Sequence, residues 1–314
     1  MSTPSRPSRP SRPSRPGRRG APDPGELLAL AEQIATDAAN LLAEEGAQQR
    51  PEVAATKSSL TDVVTEMDRR AEQLIRERIL AARPGDTILG EEGGEIGGTA
   101  GSGAARWIVD PLDGTVNYLY GLADWCVSIA AEVDGVVVVG VVAIPLRGET
   151  YLAARGQGAT VRTETGQTPA ARSGPAGSDP VAGSVPTLRC NQGVPLAQAL
   201  VGTGFGYLSG RRRVQGEVVS ALLPRIRDIR RGGSAAVDLC SVAAGRLDAF
   251  YERGLNPWDY SAGGLIAAEA GALVTGLGGR PASPSFTVAA GPGLYQELIE
   301  ALTPLDPERD ADPE

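Results

Sequence analysis

The chain has 314 residues, 41% of them apolar, with 30 basic and 38 acidic side chains and no histidine. That length suits one large domain or two smaller ones with a substantial core, and the missing imidazole excludes serine–histidine hydrolases, histidine-based phosphatases and imidazole-ligated zinc enzymes as they are usually built. Six basic residues and no acid fall in residues 1–20, which leaves 24 basic against 38 acidic residues and a net charge of -14, a balance that disfavours non-specific nucleic-acid binding and suits acidic, cation-attracting clefts.

Residues 5–16 read Ser-Arg-Pro four times over, and proline at every third position favours extended chain without a core. Residues 1–23 are therefore expected to be a disordered tail, either a solvated spacer or an arm for an anionic partner such as nucleic acid. Met1–Arg19 lacks the apolar stretch of a secretory signal, and the longest apolar run, Val136–Leu146, is too short to span a bilayer. Cys126, Cys190 and Cys240 form no C-x-x-C pair, which predicts buried thiols in a reducing compartment, the cytoplasm.

Apolar residues at helical spacing predict a helix over Pro24–Glu45, ended by Gly46, and a second over Asp62–Ala82, stopped by Pro84-Gly85. Thr87–Leu89 reads as a short strand, Gly93–Ala105 as a glycine-rich loop and Trp107–Val109 as a buried strand. Trp125–Val133, Asp134-Gly135 and Val136–Ile144 read as a hairpin, with Glu149–Ala153 as a third strand. Thr165–Ser184 reads as a loop or boundary, so the chain divides into halves at 24–165 and 166–303, followed by an acidic tail at 304–314. In the second half, helices are expected over Gly216–Leu223, Ser234–Ala244, Ala262–Ala270 and Leu294–Leu302, and strands over Leu247–Tyr251 and Thr287–Ala290.

The chemistry resides in carboxylates. Asp110 and Asp113 flank Pro111-Leu112 just after a strand, so a rigid turn can aim both into one pocket, with the Leu112 carbonyl as a third oxygen. Carboxylates this close raise one another's pKa unless a cation such as Mg²⁺ neutralises them. Gly114-Thr115 supplies unhindered N–H groups suited to phosphate oxygens. The same residues also make an ordinary surface turn. Taken singly, Glu91-Glu92 is a surface pair, Asp259 caps the helix beginning near Ala262, and Asp68 is a mid-helix ion pair beside Arg69 and Arg70. Lys57, the sole lysine, stands before Ser58-Ser59 and is read either as an exposed side chain or as held by chemistry.

In this order, Asp68, Gly90-Glu91-Glu92, Asp110–Thr115, Gly233-Ser234-Ala235-Ala236, Tyr251-Glu252 and Trp258-Asp259-Tyr260-Ser261-Ala262-Gly263 resemble the inositol monophosphatase family over roughly Glu26 to Leu302. The resemblance implies an α/β (α+β) sugar-phosphatase fold, a five-layered α-β-α-β-α sandwich. It implies a Mg²⁺-dependent, Li⁺-sensitive phosphomonoesterase acting on inositol-1-phosphate or a similar small polyol or sugar monophosphate, with two or three Mg²⁺ per site. Fructose bisphosphatase, histidinol-phosphate phosphatase and phosphoadenosine-phosphate phosphatase are the rivals within that chemistry. Glu91, Asp110, the Leu112 carbonyl, Asp113 and Asp259 would hold metal, and Glu91, Thr115 and Asp68 would orient the attacking water. Asp113, Gly114, Thr115, Gly233, Ser234, Ala235 and Glu252 would contact substrate, with Lys57 and Glu92 as further candidates. A homodimer with no membrane partner is implied too. The rival of another class is a non-catalytic protein that binds anionic partners through the arginine-rich tail. Asp124-Trp125 departs from the family's more apolar pair, which bears on substrate preference.

Overall fold

The computed structural model describes residues 22–48, 53–56, 63–98, 103–163 and 187–310. The Ser-Arg-Pro tail, Lys57 and the Thr165–Ser184 segment lie outside them.

The first half runs α1 (Pro24–Gln48), β1 (Val53–Thr56), β2 (Val63–Thr65), α2 (Glu66–Ala82), β3 (Thr87–Gly90), β4 (Gly94–Gly97), β5 (Arg106–Asp113), α3 (Thr115–Tyr120), β6 (Cys126–Val133), β7 (Val136–Ile144), β8 (Glu149–Ala154) and β9 (Ala159–Thr163). The second half runs β10 (Leu200–Thr203), α4 (Ser209–Leu222), β11 (Asp228–Arg230), α5 (Ala235–Ala243), β12 (Ala249–Glu252), α6 (Pro257–Glu269), β13 (Leu273–Thr275), β14 (Thr287–Ala290) and α7 (Leu294–Leu302).

Two sheets carry the architecture. A seven-stranded sheet has the order β4-β3-β5-β6-β7-β8-β9, and a five-stranded sheet has the order β11-β10-β12-β14-β13. In β7, Val139, Val141 and Ala143 join the core under α1 and α2, whereas Val142 and Ile144 join the core that holds α5 and α6. A strand buried on both faces must be apolar throughout, which is why Val136–Ile144 is an unbroken apolar run. Val218 and Leu222 of α4 and Leu294, Leu298 and Leu302 of α7 cover the outer face of the smaller sheet. The layers are therefore α1/α2, large sheet, α5/α6, small sheet, α4/α7: the expected α-β-α-β-α sandwich. The central layer is tightly seated, since a Cβ on Gly140 of β7 would fall 2.8 Å from the Ala262 carbonyl oxygen of α6.

Several boundaries differ from the sequence reading. Val63–Thr65 is a strand, because the extended Thr65 caps α2 and all three residues are β-branched. Gly94–Gly97 pairs with β3 rather than forming a loop. Asp110 and Asp113 do not follow a strand but lie within β5. α4 starts at Ser209, and α6 at Pro257. The short strands β9, β10, β11 and β13 had no pattern long enough to announce them. Among the described residues the three cysteines are buried free thiols, and no helix is long and apolar enough to cross a membrane.

Candidate active site

A cavity of about 410 Å³ opens where the two sheets approach, and Glu91, Asp110, Asp113 and Asp259 all line it. Each reaches it by a different local device. In a regular strand, residues three apart point to opposite faces. Here Asp110 pairs with Ser128 and Asp113 with Cys126, so β5 holds one more residue than β6 between the two pairs. That bulge at Pro111-Leu112 resets the strand phase and turns both carboxylates toward the same space.

Glu91 follows the end of β3 in a turn fastened by Glu72 of α2, whose carboxylate accepts from Glu92 N at 2.8 Å and Gly93 N at 2.9 Å. Glu72 is itself buried and paired with Arg76 at 2.8 Å. Gly90 is required there, since a Cβ would fall 2.7 Å from the Glu72 carboxyl carbon. Asp259 is the third residue of α6, and its Oδ2 accepts from Asn256 N at 2.6 Å. It completes a capping box with Asn256, so it reinforces the helix start without being the cap residue itself.

Asp68 occupies the equivalent place in α2. It is fully buried, not a mid-helix surface pair, and its Oδ2 accepts from Thr65 N at 2.8 Å. Thr115 Oγ1 lies 3.1 Å from Asp68 Oδ1 and 3.2 Å from the Leu112 carbonyl oxygen, so one hydroxyl proton is shared between two acceptors. Glu92 stands close enough for its charge to help raise the Asp68 pKa, after burial, the larger cause. Ser234 caps α5, accepting from Val237 N at 3.2 Å, and donates to Asp113 Oδ2 at 2.6 Å. Ala236 N donates to the same oxygen at 2.8 Å.

The electrostatics of the cavity follow from burial and from the charges its carboxylates place on one another. Burial, then the charges of Glu91, Asp113 and Asp259, push the Asp110 carboxyl well above its usual range. Burial, then Asp113 and Glu91, do the same to Asp259. Asp113 is pushed up to about 6 by burial, held back by the Ser234 and Ala236 hydrogen bonds and the Arg231 charge. Among the described residues no three acidic groups stand drawn together as a closed metal-binding set. Rather, Glu91, Asp110, Asp113 and Asp259 share one cavity, where Glu91 and Asp113 both oppose the ionisation of Asp110 and Asp259, and a hard, oxygen-seeking divalent cation is what such a donor set fits.

The rest of the lining comes from the second half. Gly233 and Ala235 lie beside Ser234, and Gly114, which sits at φ 97, lies beside Thr115. Glu252 ends β12, with its pKa pushed up to about 8 by burial and then by Asp238 and Asp113. Sequence reasoning missed Asp238, Arg231, Arg211 and the 203–208 segment, all of which line the cavity. Asp238 was findable, lying one helical turn beyond Ser234. The arginines carry no local signal.

The chain matches the inositol monophosphatase family over residues 23–305. It is 43% identical over 293 residues to an inositol-1-monophosphatase of Mycobacterium leprae, covering 89% of this chain and 94% of that protein. It is 36% identical to the Nus factor SuhB of Escherichia coli, covering 81% and 86%. The solved structure of Mycobacterium tuberculosis SuhB superposes with a TM-score of 0.73 at 40% identity, covering 91% of this chain and 99% of the other. On these matches, the chain belongs to the inositol monophosphatase family.

Proposed function

We propose that this protein is a Mg²⁺-dependent phosphomonoesterase that hydrolyses inositol-1-phosphate or a similar small polyol monophosphate, with Li⁺ as an inhibitor. The observation that carries the reading is the gathering of Glu91, Asp110, Asp113 and Asp259 on one cavity, where Glu91 and Asp113 oppose the ionisation of Asp110 and Asp259. Glu91, Asp110, the Leu112 carbonyl, Asp113 and Asp259 would hold two or three Mg²⁺. When bound, the ions supply Lewis acidity at the phosphoryl group and a water of lowered pKa.

The chain's own residues supply orientation. Thr115, hydrogen-bonded toward Asp68, and Glu91, which lines the same cavity, would orient the attacking water, with Glu91 as its proton acceptor. The Gly114 and Thr115 N–H groups receive phosphate oxygens. Glu252, Asp113 and the Gly233-Ser234-Ala235 backbone face the polyol.

Phosphate release from inositol-1-phosphate, glycerol-2-phosphate, fructose bisphosphate, histidinol phosphate and phosphoadenosine phosphate tests this. The expected result is Mg²⁺-dependent turnover of inositol-1-phosphate that EDTA abolishes and Li⁺ suppresses. Asp113→Asn retaining full Mg²⁺-dependent activity would sink the reading. Preference for another ester would keep the chemistry and move the substrate. The cytoplasmic location expected from the sequence and the homodimer implied by the resemblance belong to this proposal, and sedimentation tests the dimer.

The name of the E. coli relative supports a second reading, a Nus-factor role for this chain. Salt-dependent RNA binding by the full chain and by a variant lacking residues 1–23 tests whether the arginine-rich tail contributes to it, and identical binding removes the tail from that role.

A further inference from the structure

Asn117 is buried in α3, two residues after Thr115, and is not part of the cavity lining. Its Nδ2 donates to the Asp124 carbonyl oxygen at 2.5 Å and to the Gly232 carbonyl oxygen at 2.9 Å. The two acceptors back different parts of the cavity wall. The Asp124 oxygen stands against the phosphate-side turn, since a Cβ on Gly114 would fall 2.9 Å from it. Gly232 leads into Gly233-Ser234-Ala235, which lines the cavity from the second half of the chain. One amide group thus fastens the two segments together across 115 positions of sequence.

The chemical identity of the side chain matters here. A carboxamide nitrogen carries two protons and can serve two carbonyl oxygens at once, whereas a carboxylate offers acceptors only and a hydroxyl a single proton. The seat is also close. A Cβ on Gly233 would fall 2.9 Å from Asn117 Nδ2 and 2.7 Å from Arg231 Nη1, and Gly233 takes φ 98. The Gly233 backbone therefore lies directly against the Asn117 amide, with no side chain between them to absorb a shift. Ser234, the next residue, caps α5 and donates to Asp113 at 2.6 Å. A displacement of Gly232 is thereby passed to the Gly233-Ser234-Ala235 backbone, while Thr115 stays with α3.

We infer that Asn117 is a positioning residue, whose amide sets the separation between the phosphate cradle at Gly114-Thr115 and the polyol-facing backbone at Gly233-Ser234-Ala235. It acts through Gly232 and Asp124 rather than on the ester itself. This rests on the phosphatase reading, to which it adds the group that matches the two parts of the site to one polyol ester.

Two esters test it with Mg²⁺: inositol-1-phosphate, whose hydroxyls engage the polyol-facing backbone, and p-nitrophenyl phosphate, whose alcohol half carries no hydroxyl. Asn117→Asp keeps the volume and removes both donors. It should lower the kcat/KM ratio of the first ester to the second by about tenfold, the scale of one or two lost hydrogen bonds, chiefly through KM for inositol-1-phosphate. Asn117→Ser, which keeps one donor, should lower the ratio less, and it carries the test if the aspartate variant fails to fold. An unchanged ratio, with both esters slowed in the same proportion, is what a purely structural role gives and overturns the inference. Calorimetric binding of inositol-1-phosphate and inorganic phosphate, with Ca²⁺ in place of Mg²⁺, separates the two claims. Absent turnover of both esters, with a variant loss confined to inositol-1-phosphate binding, sinks the phosphatase reading and keeps the positioning role. Equal weakening of both ligands, or no binding by the wild type, sinks the positioning role.

Discussion

Thr115 Oγ1 lies 3.1 Å from Asp68 Oδ1, a contact that ties the first residue of α3 to the first turn of α2 across 47 positions of sequence. Asp68 also completes the α2 capping box by accepting from Thr65 N, so one carboxylate both supports a helix start and orients a hydroxyl at the cavity. Thr115→Val should therefore lower kcat by about 10²-fold, the scale of a lost proton-positioning group, while leaving the unfolding midpoint nearly unchanged. Asp68→Ala should lower both, with the cap loss costing about 1 kcal/mol. Steady-state kinetics alongside thermal melts distinguish the two variants.

Stability in EDTA should fall as pH rises. Asp113, Asp238 and Glu252 are pushed up to about 6, 7 and 8, in each case first by burial. A carboxyl with a raised folded pKa binds its proton more tightly when folded than when unfolded. Its favourable contribution is therefore complete below the unfolded value near 4 and is lost as pH rises through the folded value. Melts between pH 5 and 8.5 in EDTA should show a declining midpoint, and Mg²⁺ should raise the midpoint more at pH 8 than at pH 5. A Mg²⁺ effect independent of pH would contradict the neutralisation argument.

Ser234 donates to Asp113 and caps α5 with the same oxygen. Ser234→Ala removes a hydrogen bond that holds the Asp113 pKa down, so the acid limb of the pH–rate profile should move to higher pH. The lost cap should cost about 1 kcal/mol in denaturant unfolding.

Gly140 lets α6 lie directly on β7, with a Cβ meeting Ala262 Cα at 3.0 Å. Gly140→Ala should destabilise the fold by about 1–3 kcal/mol through overpacking. Because α6 carries Asp259 at its start, it should also weaken Mg²⁺ binding, measurable as a raised Mg²⁺ concentration for half-maximal activity.

Much of this was legible in the chain. The run Val136–Ile144 announced a strand buried on both faces, and Asp134-Gly135 announced its turn, where both residues take positive φ. The order of the acidic motifs picked out Glu91, Asp110, Asp113, Glu252 and Asp259 of the cavity lining, but not Asp238. What the sequence withheld was long-range. Nothing local marks the β5 bulge that brings Asp110 and Asp113 to one side, since it exists only against β6. Glu72 looks like any surface glutamate until Gly90 folds over it 18 positions later.

Asp68 and Asp259 both stand third in their helices, each in a capping box. A descendant that abandoned turnover would still need both to start α2 and α6, so their presence in a sequence says little about whether it retains an activity. Glu91 and Asp110 begin no helix. Among related chains of uncertain activity, those two positions are the ones whose loss would mark a silent enzyme.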